Sequence, residues 1–374
     1  MKKKALQKGI FRKAITLAGA AVASLYLTAC GASAPTVSAA NPAKDSGNTG
    51  STTVTEEAGT SDDSAAQGQE LQTLRFGSPN NGGKMLFELL EVALEQGILD
   101  EELASVGYKG EYYPIDAAGP GVNEALAAGN IEIAVYGDFP ATSAKANGID
   151  TTVIGVANGI QPQAIFVRDE AGINSIQDLE GKIVAVGLGT NYQFYWENFV
   201  NGENLDLNKI QIVNSFDYAT LLTTGDVDAA SVGLSQAIYF EQQGLGHTLV
   251  DSKDHPDWTT EFLVVASTPF IKEHPEVGVA INRALIRARK VIEENEEALY
   301  EAGSSQNYPA ELIKAVSQVA GTDGYNPALV ATDTSKRLQN VIDLMYNDGL
   351  ISTSFDAKDW VDSSYYEKAA AELQ

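Results

Sequence analysis

The chain has 374 residues, with 50 acidic against 25 basic side chains and a formal net charge of −25. This acidity argues against nucleic-acid binding, because contacts to phosphates need a basic surface. One cysteine and three histidines exclude an internal disulfide and a cysteine-rich zinc site, and they leave little for a histidine-based metal site. The composition therefore predicts a globular protein, of about two domains by its length, with no metal and no cofactor.

The N-terminal segment has the features of a secretion signal. Six Lys and Arg side chains and no acid precede residue 30, and an apolar run covers residues 14–26. A basic start, a short apolar run and small residues before the cleavage point are typical of a signal peptide, which we place at residues 1–29. The apolar run is too short for a membrane span, which needs about 20 apolar residues.

The segment after the signal peptide predicts how the protein is attached to the membrane. Leu27-Thr28-Ala29-Cys30-Gly31 resembles a bacterial lipobox, in which the cysteine is lipidated and becomes the new N-terminus. An ordinary signal peptide with an incidental cysteine is the alternative. Residues 30–71 are rich in small and polar side chains, which predicts a disordered linker. We therefore expect a globular part that is anchored by lipid at the extracytoplasmic face of the cell membrane.

The rest of the chain alternates between strands and helices. The first block predicts strands at 74–77, 110–115, 131–135 and 151–157, and helices at 84–96, 122–128 and 140–146. The second block predicts strands at 163–167, 182–186, 210–213, 229–232, 248–250 and 261–267, and helices at 190–201, 218–224 and 235–242. The tail predicts helices at 277–300, 310–319, 334–348 and 365–373. Two α/β blocks predict two lobes with mostly parallel sheets and a ligand cleft beyond the carboxyl ends of the strands.

Two junctions of the first block carry candidate ligand-binding residues. Asn80, Asn81 and Gly82 join the first strand to the first helix. Free N–H groups at a helix start bind anions and glycine lets a ligand approach closely, although a helix cap with a flexible turn is the alternative. Asp138 and Phe139 follow the third strand, where Asp138 either caps the next helix or faces the cleft.

Two junctions of the second block add further candidates. Gly189, Thr190 and Asn191 follow a strand and open a helix, but no Gly-Lys-Ser/Thr follows, so a nucleotide P-loop is not predicted. Helix capping and ligand binding are compatible at this junction. Tyr192 lies in the first turn of the helix and is expected to line the cleft. Ser235 follows a later strand and has the same two interpretations.

The sequence shows no catalytic constellation. The histidines lie at irregular spacing and are interpreted as surface residues, and the acidic run at residues 293–297 is interpreted as a solvated helix face. No pair of acids stands out as an acid–base couple, and the only cysteine lies in the lipobox-like motif. We therefore expect a binding protein and not an enzyme.

The motifs, taken in order, resemble those of substrate-binding lipoproteins of ABC importers, and more narrowly the nitrate, sulfonate and taurine group. They are Ala117-Ala118-Gly119-Pro120, Ala125-Leu126-Ala127-Ala128-Gly129, Asn130-Ile131-Glu132-Ile133-Ala134, Gly137-Asp138-Phe139-Pro140, Asp178-Leu179-Glu180-Gly181-Lys182 and Val184-Ala185-Val186-Gly187-Leu188-Gly189-Thr190-Asn191. The likeness covers roughly residues 74–290.

The resemblance implies an α/β, two-lobed fold like that of type II periplasmic binding proteins, with two crossovers and a helical C-terminal tail. Lobe 1 would comprise residues 72–163 and 265–374, and lobe 2 residues 164–264. Members of the group hold an oxyanion head group at helix N-termini. Gly189, Thr190 and Asn191 match that position, and Asp138 matches the loop from the other lobe.

Two departures affect the expected ligand. Gln193 stands where a histidine is common in the group, and Ser231-Val232-Gly233-Leu234-Ser235 replaces an aromatic-acid-proline segment. The resemblance implies a monomeric binding protein that captures an aliphatic sulfonate, taurine or nitrate and delivers it to an ABC permease. A pyrimidine or thiamine precursor, an aromatic carboxylate and a ligand-presenting sensor role are the alternatives.

Overall fold

The computed structural model describes residues 70–80, 82–305, 308–320 and 322–374. The compact unit that contains them runs over Glu70–Gln374. The predicted signal peptide, the predicted lipidation site Cys30, nearly all of the predicted linker and the candidate residue Asn81 lie outside the described residues. In the described part of the chain, no helix combines the length and the apolar character needed to cross a membrane.

Ten described strands form two five-stranded sheets. They are β1 (Gln72–Pro79), β2 (Tyr108–Ile115), β3 (Ile133–Gly137), β4 (Thr151–Gln161), β5 (Gln163–Val167), β6 (Ile183–Val186), β7 (Gln211–Asn214), β8 (Ala229–Gly233), β9 (His247–Asp251) and β10 (Thr260–Ser267). The first sheet has the order β2-β1-β3-β10-β4 and the second the order β7-β6-β8-β5-β9. Each of these strands overlaps a predicted one.

Both sheets are mixed, but four of the five strands in each run in one direction, so the strand directions are mostly parallel as predicted. In the first sheet β10 runs antiparallel to β3 and β4, and in the second β5 runs antiparallel to β8 and β9. The remaining pairs in each sheet are parallel. The reason is the path of the chain, since β5 and β10 are the strands that enter a sheet from the other one. Each of them inserts between two strands that run the opposite way.

The described helices cover the faces of the sheets. They are α1 (Glu88–Glu95), α2 (Ile98–Ala104), α3 (Ala118–Ala127), α4 (Asp138–Ala146), α5 (Asn191–Gly202), α6 (Tyr218–Thr224), α7 (Leu234–Gln242), α8 (Thr268–Glu273), α9 (Pro275–Glu294), α10 (Glu297–Gly303), α11 (Ala310–Ala320), α12 (Leu329–Thr332), α13 (Thr334–Asn347) and α14 (Ser364–Glu372). The predicted helix 84–96 begins only at Glu88, and the predicted helix 277–300 is broken at Asn295, whose backbone is extended.

Side chains that alternate along each strand fill a core on both faces of each sheet. Val264 packs in one hydrophobic cluster of the first sheet and its neighbour Val265 in the other. Ile165 and Phe166 divide in the same way between two clusters of the second sheet. Successive side chains of a strand point to opposite faces, so strands that are buried on both sides have continuous apolar sequences. This continuity is why the strands are predictable from the sequence.

The chain crosses between the sheets twice. Pro162 alone separates β4 from β5, and residues 252–259 separate β9 from β10. The predicted lobe boundaries, after Gln163 and after Val264, therefore fall inside β5 and inside β10. All of β10 pairs with the first sheet, from Thr260 onward. Since a strand is hydrogen-bonded along its length, the second crossing lies before β10 rather than within it.

The C-terminal tail packs against the core of both sheets. Helix α9 packs its buried face on the core of the first sheet, as predicted for the tail. Helix α11 instead contacts α7, and Val316 and Val319 pack against a core cluster of the second sheet. The tail therefore adds a packing contact to the two covalent crossings.

Candidate functional site

A cavity of about 330 Å³ is lined by residues from both sheets and from the tail. Asn80 follows β1 and Gly137 ends β3 in the first sheet, while Thr190 follows β6 by a short loop and Gly233 ends β8 in the second. These positions are the carboxyl ends of parallel strands, which is where open α/β sheets place ligands. The cavity is therefore the candidate ligand site.

The first turn of α5 offers backbone donors to this cavity. The Thr190 hydroxyl accepts a hydrogen bond from the Tyr192 N–H at 3.3 Å and donates one to the Gly187 carbonyl at 2.6 Å. The Gly189 N–H donates to Gln193 Oε1 at 2.8 Å. A helix leaves its first N–H groups without partners inside the helix, and the side chain of Thr190 caps only one of them. Asn191, the first residue of α5, therefore brings the positive end of the helix dipole to the cavity wall.

Asn191 ties this helix start to both crossings. Its Nδ2 donates to Gln161 Oε1 at 2.9 Å, and the same oxygen accepts from the Thr260 hydroxyl at 3.1 Å. The Thr260 hydroxyl in turn accepts from Gln163 Nε2 at 3.0 Å. Asn191 is only 6 % exposed, and in the described part of the chain its Oδ1 has no hydrogen-bond partner. The network holds α5 in register with the two crossing segments.

Half of the predicted ligand-binding residues come together at the cavity. Those that line it are Asn80, Thr190, Asn191, Tyr192 and Ser235. Those that do not are Gly82, Asp138, Phe139 and Gly189, and Asn81 lies outside the described residues. Gly82 is exposed, with a positive φ of 64°.

The structure gives the predicted residues away from the cavity other environments. Asp138 is buried, and its Oδ2 accepts a hydrogen bond from the Glu261 N–H at 2.9 Å. Burial raises the pKa of Asp138 to about 7. Phe139 packs in the core against Phe194, with ring centroids 6.1 Å apart. Gly189 adopts a φ of 79°, a conformation that favours glycine, and so turns the chain into α5.

Glu88 also lines the cavity, although the sequence did not predict it as a site residue. Burial raises the pKa of Glu88 to about 7, the side chain of Asn158 lowers it in part, and no cation contributes. Glu88 and Ala118 are two of the three described non-glycine residues with a positive φ, at 50° and 52°, and both line the cavity. No sequence signal marks Glu88 as a cavity residue, because it falls at an ordinary acidic position of the predicted helix 84–96.

The charged groups of the cavity wall are acidic. None of the described residues that line the cavity is Lys, Arg or His. Asp116 lies at the exposed rim, where its Oδ1 accepts from Asn80 Nδ2 at 2.7 Å. Within the described ranges, no group of His, Cys, Asp or Glu is arranged to hold a metal ion. Any anionic part of a ligand would therefore be held by uncharged donors.

Aromatic rings supply much of the remaining wall. Phe87 and Phe262 stack with centroids 4.2 Å apart. Tyr192 meets Tyr218 edge to face at 6.1 Å, and burial raises the pKa of Tyr192 to about 12. Tyr308, from the segment that precedes α11, also lines the cavity. These rings offer flat apolar faces and quadrupoles that attract cations.

The fold and the site define a class. Two α/β halves joined by two crossings, with one cavity lined from both, are the architecture of solute-binding proteins of the periplasmic-binding-protein fold. The expected fold class, with its crossovers and helical tail, is confirmed by solved structures of that fold. The predicted family resemblance is confirmed too: residues 115–298 match the family model described as NMT1/THI5 like.

Two relatives show the similarity in sequence and in structure. An aliphatic sulfonates-binding protein of Bacillus subtilis strain 168 is 24% identical over 309 residues, which cover 81% of this chain and 90% of that protein. The periplasmic sulfonate-binding protein SsuA of Methylobacillus flagellatus KT has 25% identity and a TM-score of 0.68, over 82% of this chain and 96% of that one. Both relatives are named as binding proteins, which supports a solute-binding role for this chain.

The fold also occurs in an enzyme. The desulfurization enzyme DszB has a TM-score of 0.62 at 14% identity, over 81% of this chain and 100% of that one. At this identity the likeness shows the fold alone. The relatives that match in sequence are binding proteins, which agrees with the expectation that the chain is not an enzyme at the level of its family.

Proposed function

We propose that this protein captures a small ligand with an oxyanion head group, of the aliphatic sulfonate type, in the described cavity and delivers it to an ABC importer. The observation that carries the proposal is the start of α5, where Thr190 and Asn191 line a cavity that residues of both sheets also line. Closure of the two halves about the crossings at Pro162 and residues 252–259 would enclose the ligand. The names of the relatives support this ligand class.

The test is a thermal-shift and calorimetric screen of the purified globular part against alkanesulfonates, nitrate, carboxylates and pyrimidines. Binding to the folded state raises the melting temperature, so sulfonates should do so. The variant Thr190→Ala with Asn191→Ala should weaken binding about tenfold or more while it remains folded. Thr332→Ala, which changes an exposed threonine of α12, is the matched control. A shift with neutral or cationic compounds, and none with sulfonates or nitrate, contradicts the proposal.

A second candidate ligand class is a pyrimidine precursor or an aromatic carboxylate. The stacked pair Phe87 and Phe262 and the tyrosines Tyr192 and Tyr308 favour it, because flat rings pack well between aromatic faces. The same screen separates the two classes, since an aliphatic sulfonate presents no ring to this wall.

The cellular location of the protein is also part of the proposal. Cys30 is the only cysteine in the chain and stands in the lipobox-like motif, so we propose a monomeric protein anchored by lipid at the extracytoplasmic face of the membrane. Cys30→Ala should move it from the membrane to the soluble fraction, because the acyl chains provide the anchor. A variant that stays fully in the membrane fraction contradicts lipid anchoring and leaves the ligand proposal untouched.

A further inference from the structure

Part of the cavity wall is formed by the C-terminal tail. Tyr308, Ile313 and Val316 line the cavity, and they belong to α11 and to the segment just before it. Ile313 and Val316 are three positions apart, so they lie on the same face of the helix. The enclosure of the cavity therefore depends on where α11 rests, as well as on the two sheets.

Helix α11 is fixed to the half of the molecule that contains the first sheet. It packs on α10, which belongs to a core cluster of that sheet. Ile313 lies so close to Gly303, the last residue of α10, that a Cβ added there would be 2.8 Å from Ile313 Cγ2. Lys314 Nζ lies 3.7 Å from Glu297 Oε1 and 5.4 Å from the centre of the Tyr300 ring. We therefore expect α11 to move with the first sheet.

The contact of α11 with the other half is made by partly buried side chains. Val316 and Val319 pack against a core cluster of the second sheet that includes residues of α7. Tyr308 meets Tyr239 of α7 edge to face, with ring centroids 5.8 Å apart. A contact of this kind buries less apolar area than a core does, so it costs less to break.

Opening of the two halves about the crossings would separate α7 from α11. Helix α7 directly follows β8 of the second sheet, whereas α11 is held by α10. Ser235 and Gln236 of α7 line the cavity opposite in the chain to the residues that α11 supplies. The same movement would therefore break the contact and remove part of the cavity wall.

We infer that α11 is a latch on the ligand cavity, and that Val319 is a positioning residue that holds this helix against α7. Val319 does not line the cavity, so it acts through the wall residues of α11. The inference concerns the regulation of the proposed site and rests on the proposed function for the ligand. The movement itself can be measured without a ligand.

The first measurement is the distance between the two sheets. Strands β2 and β7 lie at the ends of the two sheets that are remote from the crossing strands. Spin labels at Lys109→Cys and Gln211→Cys, two exposed positions of β2 and β7, report this distance by double electron–electron resonance in the full chain with Cys30→Ala. Val319→Asp places a charge in the contact, which is costly without a partner. Its distance distribution should shift to longer values than that of the labelled parent.

The second measurement is the calorimetric affinity for ethanesulfonate. If Val319→Asp populates the open arrangement, a smaller fraction of the protein can hold the ligand with both halves. The apparent affinity falls in proportion to that fraction, so it should be weaker by about tenfold or more.

Two control variants isolate the contact. Ala315→Asp adds the same charge at an exposed position of α11, and Val319→Ile keeps an apolar side chain between the helices. Both should match the parent in distance and in affinity. If Val319→Asp does not fold, Val319→Ala takes its place and should change both quantities in the same direction by a smaller amount.

The outcomes separate the latch from the proposed function. An unchanged distance distribution in the folded Val319 variant, or an equal shift in Ala315→Asp, overturns the latch. A longer distance with unchanged affinity for ethanesulfonate overturns its role in capture. A longer distance in the variant, when neither the parent nor the variant binds any of the tested sulfonates, supports the latch and counts against the proposed ligand class alone.

Discussion

Glu197 is a buried acid that should make the protein less stable as the pH rises. It lies on α5, one helical turn after Gln193, whose Nε2 donates to Glu197 Oε1 at 3.3 Å. Its side chain is 3 % exposed. Burial raises its pKa from the ordinary value of 4.5 to about 7, the bond from Gln193 lowers it in part, and the charge of Asp348 raises it further. The folded protein therefore holds this proton more tightly than the unfolded chain does.

The size of the effect follows from the two pKa values of Glu197. The difference between 4.5 and about 7 corresponds to about 3 kcal/mol of unfolding free energy, at about 1.4 kcal/mol per pH unit. This stability is fully present below about pH 4.5 and is lost as the pH rises through about 7. Glu197→Gln replaces the acid by a neutral group of the same shape. At pH 8 the variant should therefore be more stable than the wild type by about 3 kcal/mol.

Urea unfolding at pH 4.5, 6 and 8, followed by far-ultraviolet circular dichroism, measures this difference. The curves of Glu197→Gln and the wild type should be close at pH 4.5 and should separate as the pH rises. Asp257→Asn, which removes an exposed carboxylate, is the control and should change stability by no more than about 0.5 kcal/mol at each pH. If the stabilities of Glu197→Gln and the wild type run parallel from pH 4.5 to 8, the burial argument is wrong.

Two other substitutions test the ion pair between α13 and β10 and the packing at the cavity. Arg337 Nε lies 2.7 Å from Oε1 of the fully buried Glu261, and burial raises the pKa of Glu261 well above its ordinary value. Arg337→Met removes the partner of this acid, which can then take up a proton, so the variant should lose about 1–3 kcal/mol in urea unfolding. Adding Glu261→Gln should restore part of the loss. No loss in the single variant contradicts the pairing. In Gly137→Ala the new Cβ would collide with the side-chain amide of Asn191. Asn191 would have to move and its hydrogen bond to Gln161 would be disturbed, so calorimetry should show weaker ligand binding. An unchanged affinity contradicts this.

The strands could be predicted because their environment is uniform. Val264 and Val265 face opposite clusters of the core, so a run of apolar residues already identifies the strand. Helix bounds were less predictable where the backbone departs from helical geometry without Gly or Pro to mark the place. Glu88 has a φ of 50°, and nothing in the sequence around it signals that the helix begins there.

The site residues also differ in how far the local sequence predicts them. Thr190, Asn191 and Tyr192 follow a strand and begin a helix, so a local rule points to them, and they do line the cavity. Asp138 follows the same local rule but is buried and bonded to the Glu261 N–H. Tyr308 could not be predicted, because the tail brings it to the cavity from a segment without any sequence motif. Tertiary packing, which no local rule describes, decides these last two positions.

The net charge of −25 and the proposed oxyanion ligand act at different distances. A field of this sign opposes the approach of an anion at long range. Charges elsewhere on the surface are nevertheless screened over about 8–10 Å, whereas contacts inside the cavity are short. Since none of the described residues that line the cavity is Lys, Arg or His, the head group would depend on uncharged donors such as those at the start of α5. The acidity of the chain therefore bears on the rate of capture more than on the contacts that hold the ligand.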